Sequence, residues 1–164
     1  MKNIILALAL LLGFYNISEA GSAVSRTTKQ TQIPYEECIN IVYFDEGSLY
    51  KASNATVVER KKNIVILKHT SAAGTSHYEA EESRNITKEE AVFETKMVKN
   101  LDGTLKNQKT TIRIKRVAGK ALITITMEAN VEHLFATQNA VKKQLDSNIQ
   151  NILSEIEKAA EKHF

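Results

Sequence analysis

Few residues in this 164-residue chain have the types and spacings that catalysis requires. The sequence contains no glycine-rich phosphate loop, no HExxH pair, no CxxC pair and no GxSxG turn. Its single cysteine, Cys38, excludes both an intrachain disulfide bond and a zinc site made of several thiolates. From these patterns we predict no catalytic residue, no metal ion and no cofactor.

Three neighbouring residues remain that could transfer a proton or bind a metal. His69 and His77 flank a short loop, so a hairpin there would bring them together, with Glu79 or Glu81 as further ligands. Exposed hairpin histidines are the alternative interpretation. Tyr78, if buried, needs a hydrogen-bond partner and could offer its hydroxyl to a ligand. An enzyme built on this segment would use Tyr78 or His77 as its acid or base.

The charged residues give no sign of another kind of site. Adjacent glutamates such as Glu81 and Glu82 point to opposite faces of a strand, so we predict that they face solvent rather than form an acid–base pair. The 22 basic and 19 acidic residues leave a net charge of +3, and the basic residues between Lys96 and Lys120 lack exposed aromatic partners. We predict no nucleic-acid binding and at most weak contact with an anionic membrane surface, a solvated sheet face being the alternative.

The first twenty residues have the pattern of a signal peptide. Lys2 supplies positive charge, residues 4–14 form an apolar run interrupted by one glycine, and Ser18 and Ala20 place small side chains where signal peptidase reads. The run is shorter than the roughly 20 residues that a bilayer-spanning helix needs. We therefore predict cleavage after Ala20 and a secreted or periplasmic location for residues 21–164. An uncleaved anchor or a first core helix is the alternative.

In an oxidising compartment a free thiol persists best when it is buried. Cys38 shares a helical face with Ile41 and Val42, and no lysine or histidine stands beside it to lower its pKa. We predict that the Cys38 thiol packs in the core, with a reactive or intermolecular thiol as the alternative.

The periodicity of apolar residues changes along the chain from helical to alternating and back to helical. Residues 21–31 are predicted as a short exposed strand, 34–44 and 46–52 as helices, and 64–67 as a strand covered on both faces. Further along, apolar and polar residues alternate over several segments. This alternation indicates an antiparallel sheet with one dry and one solvated face.

The last element has the most regular pattern. After a capping residue, Thr137, apolar side chains recur with helical spacing from Val141 to Ala160, which predicts one amphipathic helix of about 26 residues. At 1.5 Å per residue this helix is about 40 Å long. It needs an apolar surface of similar length, which the dry face of the sheet supplies. A coiled-coil oligomerisation helix is the alternative.

This order of elements resembles the START-like helix-grip superfamily, also called SRPBCC, which includes polyketide cyclase-like and lipid-transfer proteins. The resemblance extends over about residues 24–162 and rests on the topology and on the closing segments 123–131 and 141–145, with Phe135 between them. It implies an α+β fold in which a curved antiparallel sheet of about seven strands grips the long C-terminal helix, with two short helices after the first strand. Residues 21–164 would form a single domain.

The resemblance also implies an apolar cavity between the sheet and the helix. Independently, a dry sheet face and one long helix cannot always fill the space between them with side chains. The candidate lining residues are Tyr78, Phe93, Met97, Ile112, Ile114, Ile123, Ile125, Met127, Leu145, Ile149 and Ile152. Simple core packing is the alternative for each of them, because a dry face produces the same pattern with or without a cavity.

The function that this arrangement favours is non-catalytic binding or transport of a small apolar molecule or a lipid by a monomer. The first alternative is a cyclase-type or hydrolase-type enzyme that uses the same cavity. The second is a domain with a filled core that acts through its surface in the cell envelope. Cavity volume separates these hypotheses, because ligand pockets measure about 300 Å³ or more and a volume below about 100 Å³ would favour the filled core.

Overall fold

The computed structural model describes residues 21–44, 46–133 and 137–162. The predicted signal peptide and Phe135 lie outside these described residues. In chain order the elements are β1 Gly21–Pro34, α1 Tyr35–Phe44, α2 Glu46–Ala52, β2 Ala55–Lys61, β3 Ile64–Ser71, β4 Gly74–Ile86, β5 Glu90–Asp102, β6 Leu105–Val117, β7 Lys120–Val131 and α3 Gln138–Lys162.

Within the described part of the chain, seven strands form one curved antiparallel sheet in the order β1-β7-β6-β5-β4-β3-β2. Consecutive strands from β2 to β7 are neighbours, while α1 and α2 carry the chain from β1 at one edge to β2 at the other. The helix α3 packs on β1 and β7 and contacts both short helices. The predicted α+β helix-grip architecture is confirmed.

The first strand is longer and better covered than the sequence predicts. β1 runs for 14 residues and pairs with β7 from Gly21 opposite Val131 onward. Its inward side chains at this end are small, Ala23 and Ser25, whereas Val24 points outward and is 57% exposed. The expectation of a short exposed strand was wrong. Because its inward residues are small, the sequence of this strand shows no alternation of large apolar and polar residues, but pairing with β7 and packing against α3 still stabilise it.

Two further strands differ from expectation. In β3 the side chains of Val65, Leu67 and His69 are buried, whereas Ile64 and Ile66 on the other face are half-buried, so the predicted segment 64–67 is fully covered on one face rather than both. The sequence pattern predicts a strand over residues 77–82 and a turn over residues 85–88, whereas β4 extends over Gly74–Ile86 and pairs Asn85 with Val92. The turn comes later, where Thr87 Oγ1 accepts hydrogen bonds from the backbone N–H groups of Glu89 and Glu90 at 3.3 and 3.0 Å.

The helix α3 follows the prediction closely. It has 25 residues, and Thr137 caps it by accepting a hydrogen bond at Oγ1 from the Ala140 N–H at 3.2 Å. Its apolar stripe is buried against the sheet and the short helices, with Ile149 and Ile156 fully covered. Because this chain itself covers the stripe, the structure favours the grip arrangement over a coiled coil.

The Cys38 thiol is fully buried in α1, as predicted. Burial raises its pKa to about 12, so the thiol stays protonated and unreactive at neutral pH. None of the helices among the described residues is both long enough and apolar enough to cross a membrane.

Candidate functional site

A cavity of about 160 Å³ lies between the first half of α3 and the sheet, and we call it the larger cavity. Its floor comes from β3, β4, β6 and β7, and α3 covers it. The described residues that line it are His69, Ser71, Ala72, Ala73, Ser76, Thr104, Leu105, Gln108, Ala129, Val131, His133, Ala140, Val141, Gln144, Leu145 and Asn148. None of these carries a carboxylate, an ammonium or a guanidinium group.

A second space of about 70 Å³, the smaller cavity, lies further along the same sheet face, beside α1, α2 and the second half of α3. Its apolar lining residues are Val42, Leu49, Ala55, Leu67, Phe93, Met97, Ile112 and Ile152. Its remaining lining residues include the charged side chains of Glu82, Arg84 and Glu94. The smaller cavity is therefore largely aliphatic and aromatic, with charge confined to the strands β4 and β5.

Among the described lining residues, Gln108 alone is common to both cavities. Its Oε1 accepts a hydrogen bond from the hydroxyl of Tyr78 at 3.1 Å, and both side chains are buried. Burial raises the pKa of Tyr78 far above its ordinary value, so the phenol keeps its proton and remains the donor. The Tyr78–Gln108 pair therefore forms a partition between the two cavities.

The two histidines predicted to approach each other lie on opposite faces of the sheet. The β3–β4 register places His69 opposite Ser76 and His77 opposite Lys68. His69 is only 9% exposed and lines the larger cavity, so its interpretation as an exposed hairpin residue was wrong. The reason is strand alternation, which puts His69 on the same inward face as Leu67.

His77 lies on the outer face, where its Nδ1 is 3.0 Å from both carboxylate oxygens of Asp102. This hydrogen bond holds the pKa of Asp102 below its ordinary value. The outward position of His77 removes it from any chemistry inside the cavities. Among the residues that the structure describes, no group of three or more His, Cys, Asp or Glu side chains is placed to hold a metal ion.

The imidazole of His69 is available to a bound molecule. Burial lowers its pKa below the ordinary value, so the ring is uncharged at neutral pH. It makes no hydrogen bond to any other residue in the described part of the chain. A neutral imidazole has one donor and one acceptor nitrogen, so His69 can either donate to a ligand or accept from it.

A buried asparagine ties the cover of the larger cavity to the rest of the fold. The Oδ1 of Asn148 accepts hydrogen bonds from Asn54 Nδ2 at 3.0 Å and from Gln144 Nε2 at 2.9 Å. Its Nδ2 donates to the carbonyl oxygen of Ser53 at 3.3 Å. These bonds connect α3 to the turn between α2 and β2, and they orient Gln144 at the cavity wall.

A polar cluster lies beside the smaller cavity, at Glu82. Its carboxylate accepts hydrogen bonds from the hydroxyl of Tyr50 and from the guanidinium of Arg60, and Tyr50 also lies 3.2 Å from Thr95 Oγ1. The side chain of Glu82 is 11% exposed. The prediction that Glu82 is simply solvated was wrong, because it is in register with the inward residues Tyr78 and Ala80.

The predicted lining residues separate into two groups. Tyr78, Phe93, Met97, Ile112 and Ile152 line the smaller cavity, and Leu145 lines the larger one. The residues that pack as fully buried core are Ile114, Ile123, Ile125, Met127 and Ile149. Alternation cannot separate these groups, because cavity wall and filled core share one dry face.

Sequence reasoning did not find the polar residues of the larger cavity. Ser76 and His69 are in phase with the inward residues Tyr78 and Leu67, and Gln108 is in phase with Ile112. If the inward positions of each strand are counted whatever the residue type, all three side chains are placed on the inner face. The pattern of apolar residues alone does not indicate these hydrogen-bonding groups.

Comparison with known proteins identifies the fold. No model of a protein family matches the sequence, and no curated protein matches it. Among solved structures, a START superfamily protein from Mycobacterium smegmatis is similar, with a TM-score of 0.64 and 12% identity over 86% of this chain and 99% of that chain. A conserved protein from Geobacillus kaustophilus has the same TM-score and identity over 85% and 95% of the two chains.

The Zhui aromatase/cyclase from a Streptomyces species is also similar, with a TM-score of 0.59 and 10% identity over 85% of this chain and 94% of that chain. These likenesses agree with the topology described above. The chain therefore has the START-like helix-grip fold.

Proposed function

We propose that the protein binds a small, mostly apolar molecule between the sheet and α3 without catalysing a reaction on it. The larger cavity is the observation that carries this proposal: it provides about 160 Å³ of space between the sheet and α3, and the imidazole of His69 in its wall has no hydrogen-bond partner among the described residues. An engineered apolar cavity of about 150 Å³ is known to hold benzene, so this space suits a group of that size. Its volume lies between the roughly 100 Å³ below which a filled core would be favoured and the roughly 300 Å³ of typical ligand pockets, so the bound group must be small.

The positions and protonation states of the candidate acid–base residues favour binding over catalysis. His77, one of the two acid–base candidates, lies on the outer face. Tyr78 donates to Gln108, and burial raises its pKa, so it does not act as a base at neutral pH. The fold is shared with an aromatase/cyclase, but the residues of this chain support retention of a ligand rather than its conversion.

We further propose that the protein acts outside the cytoplasm as a monomeric carrier or sensor of such a molecule, with residues 1–20 removed on export. The charged n-region, apolar run and small residues before Gly21 support this proposal. Mass spectrometry of the protein from a periplasmic or secreted fraction should give a chain that begins at Gly21. Recovery of the chain with Met1 to Ala20 intact would contradict export with cleavage.

Ligand binding can be tested by filling the larger cavity. Ala129 is 6% exposed, faces inward from β7 and lines this cavity. We expect wild-type protein to bind the neutral dye Nile red saturably and with 1:1 stoichiometry, and Ala129→Leu to weaken that binding at least about tenfold while it keeps the melting temperature. Extra methyl groups are tolerated where a void exists and destabilise a filled core.

Ala121 provides the matched control for stability, since it is fully buried on the inner face of the same strand but lines neither cavity. Ala121→Leu should lower the melting temperature. Thr126→Val, on the outer face of β7, should leave dye binding unchanged. Absence of saturable binding across a panel of neutral and charged apolar probes would refute the proposed function.

A further inference from the structure

None of the described residues that line the larger cavity carries a carboxylate, an ammonium or a guanidinium group. The titratable side chains among its described lining residues are His69 and His133, and burial keeps His69 neutral. Its other polar lining residues carry amides or hydroxyls. An ionised ligand group placed here would lose its hydration without gaining a carboxylate, ammonium or guanidinium partner from these residues, which disfavours its binding.

The larger cavity does, in contrast, have hydrogen-bonding groups that no described residue uses. The imidazole of His69 has no hydrogen-bond partner among the described residues. Gln144 donates through Nε2 to Asn148, and its Oε1 makes no hydrogen bond within the described part of the chain. Gln108 accepts from Tyr78 through Oε1, while its Nε2 donates to none of the described residues. The cavity wall therefore presents at least one unused donor and one unused acceptor.

Each charged group of the smaller cavity contacts another side chain. Glu82 pairs with Arg60, and Glu94 pairs with Lys109 at 2.9 Å. The guanidinium of Arg84 stacks over the ring of Tyr43 at 4.4 Å. The two carboxylates of the smaller cavity are therefore paired, and its charged group without an ion-pair partner among the described residues is the guanidinium of Arg84, which is exposed to solvent.

We infer that the ligand is a neutral molecule with one hydroxyl, carbonyl or amide group, which binds between His69 and Gln144 in the larger cavity while the apolar remainder extends toward Gln108. This inference rests on the proposed function and narrows it. It excludes ionised fatty acids, phosphate-bearing lipids and cationic amphiphiles as ligands.

The test is displacement of Nile red at pH 8, above the ordinary pKa of histidine, by four compounds with the same eight-carbon chain. They are 1-octanol, octanoate, octylammonium and 1-chlorooctane. We expect 1-octanol to compete at a concentration at least about tenfold lower than either ion, because none of the described residues that line the larger cavity carries a carboxylate, an ammonium or a guanidinium group to pair with an ion. Octanoate or octylammonium competing as well as 1-octanol would overturn the inference.

The hydrogen bonds are tested with His69→Phe and Gln144→Met, which remove the polar groups and keep a planar ring and an unbranched chain in their place. Each variant should weaken the binding of 1-octanol about threefold to tenfold relative to that of 1-chlorooctane, because one or two hydrogen bonds to the alcohol are lost. His77→Phe on the outer face and Gln150→Met on the exposed face of α3 are the controls. They should leave the ratio of the two affinities unchanged.

The outcomes distinguish this inference from the proposed function. If Nile red and 1-chlorooctane bind, but the alcohol-to-chloride affinity ratio is the same in wild type, His69→Phe and Gln144→Met, the cavity binds ligands and the inference is wrong. If no probe binds saturably, the proposed function fails and the inference fails with it. Since Gln144 is only half-buried, Gln144→Met gives a folded test even where His69→Phe unfolds the chain.

Discussion

The hydroxyl of Tyr78 donates a 3.1 Å hydrogen bond to the side-chain amide of Gln108 at the place where the two cavities meet. A ligand confined to the larger cavity leaves this bond intact. A longer ligand must displace Gln108 to reach the apolar walls around Phe93 and Met97. The pair therefore makes binding depend on ligand length.

The first prediction concerns this length dependence. Tyr78→Phe removes the bond that holds Gln108 in place, so the cost of moving the amide falls by about 1 kcal/mol. We expect the affinity for 1-dodecanol to rise severalfold relative to that for 1-hexanol, measured by displacement of Nile red. Equal changes for both alcohols would show that Gln108 does not separate the cavities.

The second prediction concerns pH. Because burial lowers the pKa of His69 in the folded state, the unfolded chain takes up this proton first as the pH falls. Folding stability should therefore decrease below the ordinary histidine pKa of about 6.5 and level off below the lowered folded value. Above that ordinary value His69 has no effect. Melting temperatures between pH 8 and pH 5.5 measure the decrease.

His69→Gln should reduce this loss of stability on acidification, and His77→Gln, on the outer face, should retain it. The interval from pH 8 to pH 5.5 lies above the titration of Asp102 and Asp146. The pKa values of both carboxylates are lowered, so they lose their stabilising interactions only near pH 4 and below. The same pH dependence in wild type and His69→Gln would mean that the folded protein protonates His69 readily.

The third prediction concerns the β5–β6 turn. Gly103 has a φ of +84°, and a Cβ placed there would overlap with Ser76 Oγ and come within 2.5 Å of the Thr75 carbonyl oxygen. Gly119 has a similar φ of +78° but open space around it. Gly119→Ala should cost about 1 kcal/mol from backbone strain alone, and Gly103→Ala should cost at least about 1 kcal/mol more.

Chemical denaturation of both variants checks this difference. Ser76 also accepts a 3.0 Å hydrogen bond from the Leu105 N–H and lines the larger cavity. Gly103→Ala should therefore weaken Nile red binding, while Gly119→Ala should not. Equal destabilisation of the two variants would contradict the close contact at Gly103.

The fourth prediction concerns Asn148. Its side chain is 1% exposed and makes three hydrogen bonds, which join α3 to the turn after α2. Asn148→Ala should lower the free energy of unfolding by about 2 to 3 kcal/mol, because these bonds are lost and a buried carbonyl keeps one partner fewer. Asn151→Ala, on the exposed face of the same helix, should change it by less than about 0.5 kcal/mol. A small effect of Asn148→Ala would mean that only the apolar stripe stabilises α3 on the fold.

The fifth prediction concerns the thiol. Cys38 is fully buried, and burial raises its pKa to about 12, so Ellman's reagent at pH 8 should not label the folded protein. In guanidinium chloride the same protein should react with one equivalent of reagent. Rapid labelling of the folded chain would mean that α1 opens readily from the sheet.

The sequence predicts the sheet and the long helix well because both follow a regular period. Ile112 and Ile114 alternate with charged residues in β6, Ile123 and Ile125 do so with threonines in β7, and all four are buried. Local patterns suffice for such elements, since one face is uniformly apolar. The first strand lacks this pattern, because what holds Ala23 is a partner strand about a hundred residues away, at Ala129.

The candidate site is less predictable than the fold for a related reason. Where apolar residues alternate, the same pattern describes Met97, which lines a cavity, and Met127, which is packed in the core. Whether a void remains depends on the distance between α3 and the sheet, which no local pattern encodes. The position of His69 was predictable by counting inward residues from Leu67, but the absence of a hydrogen-bond partner for its imidazole among the described residues was not.

The pairing of β1 with β7 also bears on how the chain folds. The first strand finds its only strand partner among the described residues at Lys120–Val131, and its other main neighbour is α3, through contacts such as the Ser25–Asp146 hydrogen bond. Closing so long a loop is entropically slow, so the hairpins from β2 to β7 are expected to form before β1 docks. Newly made protein would then expose one open edge of β7 until its N-terminal strand arrives, and that edge is where self-association during refolding should begin.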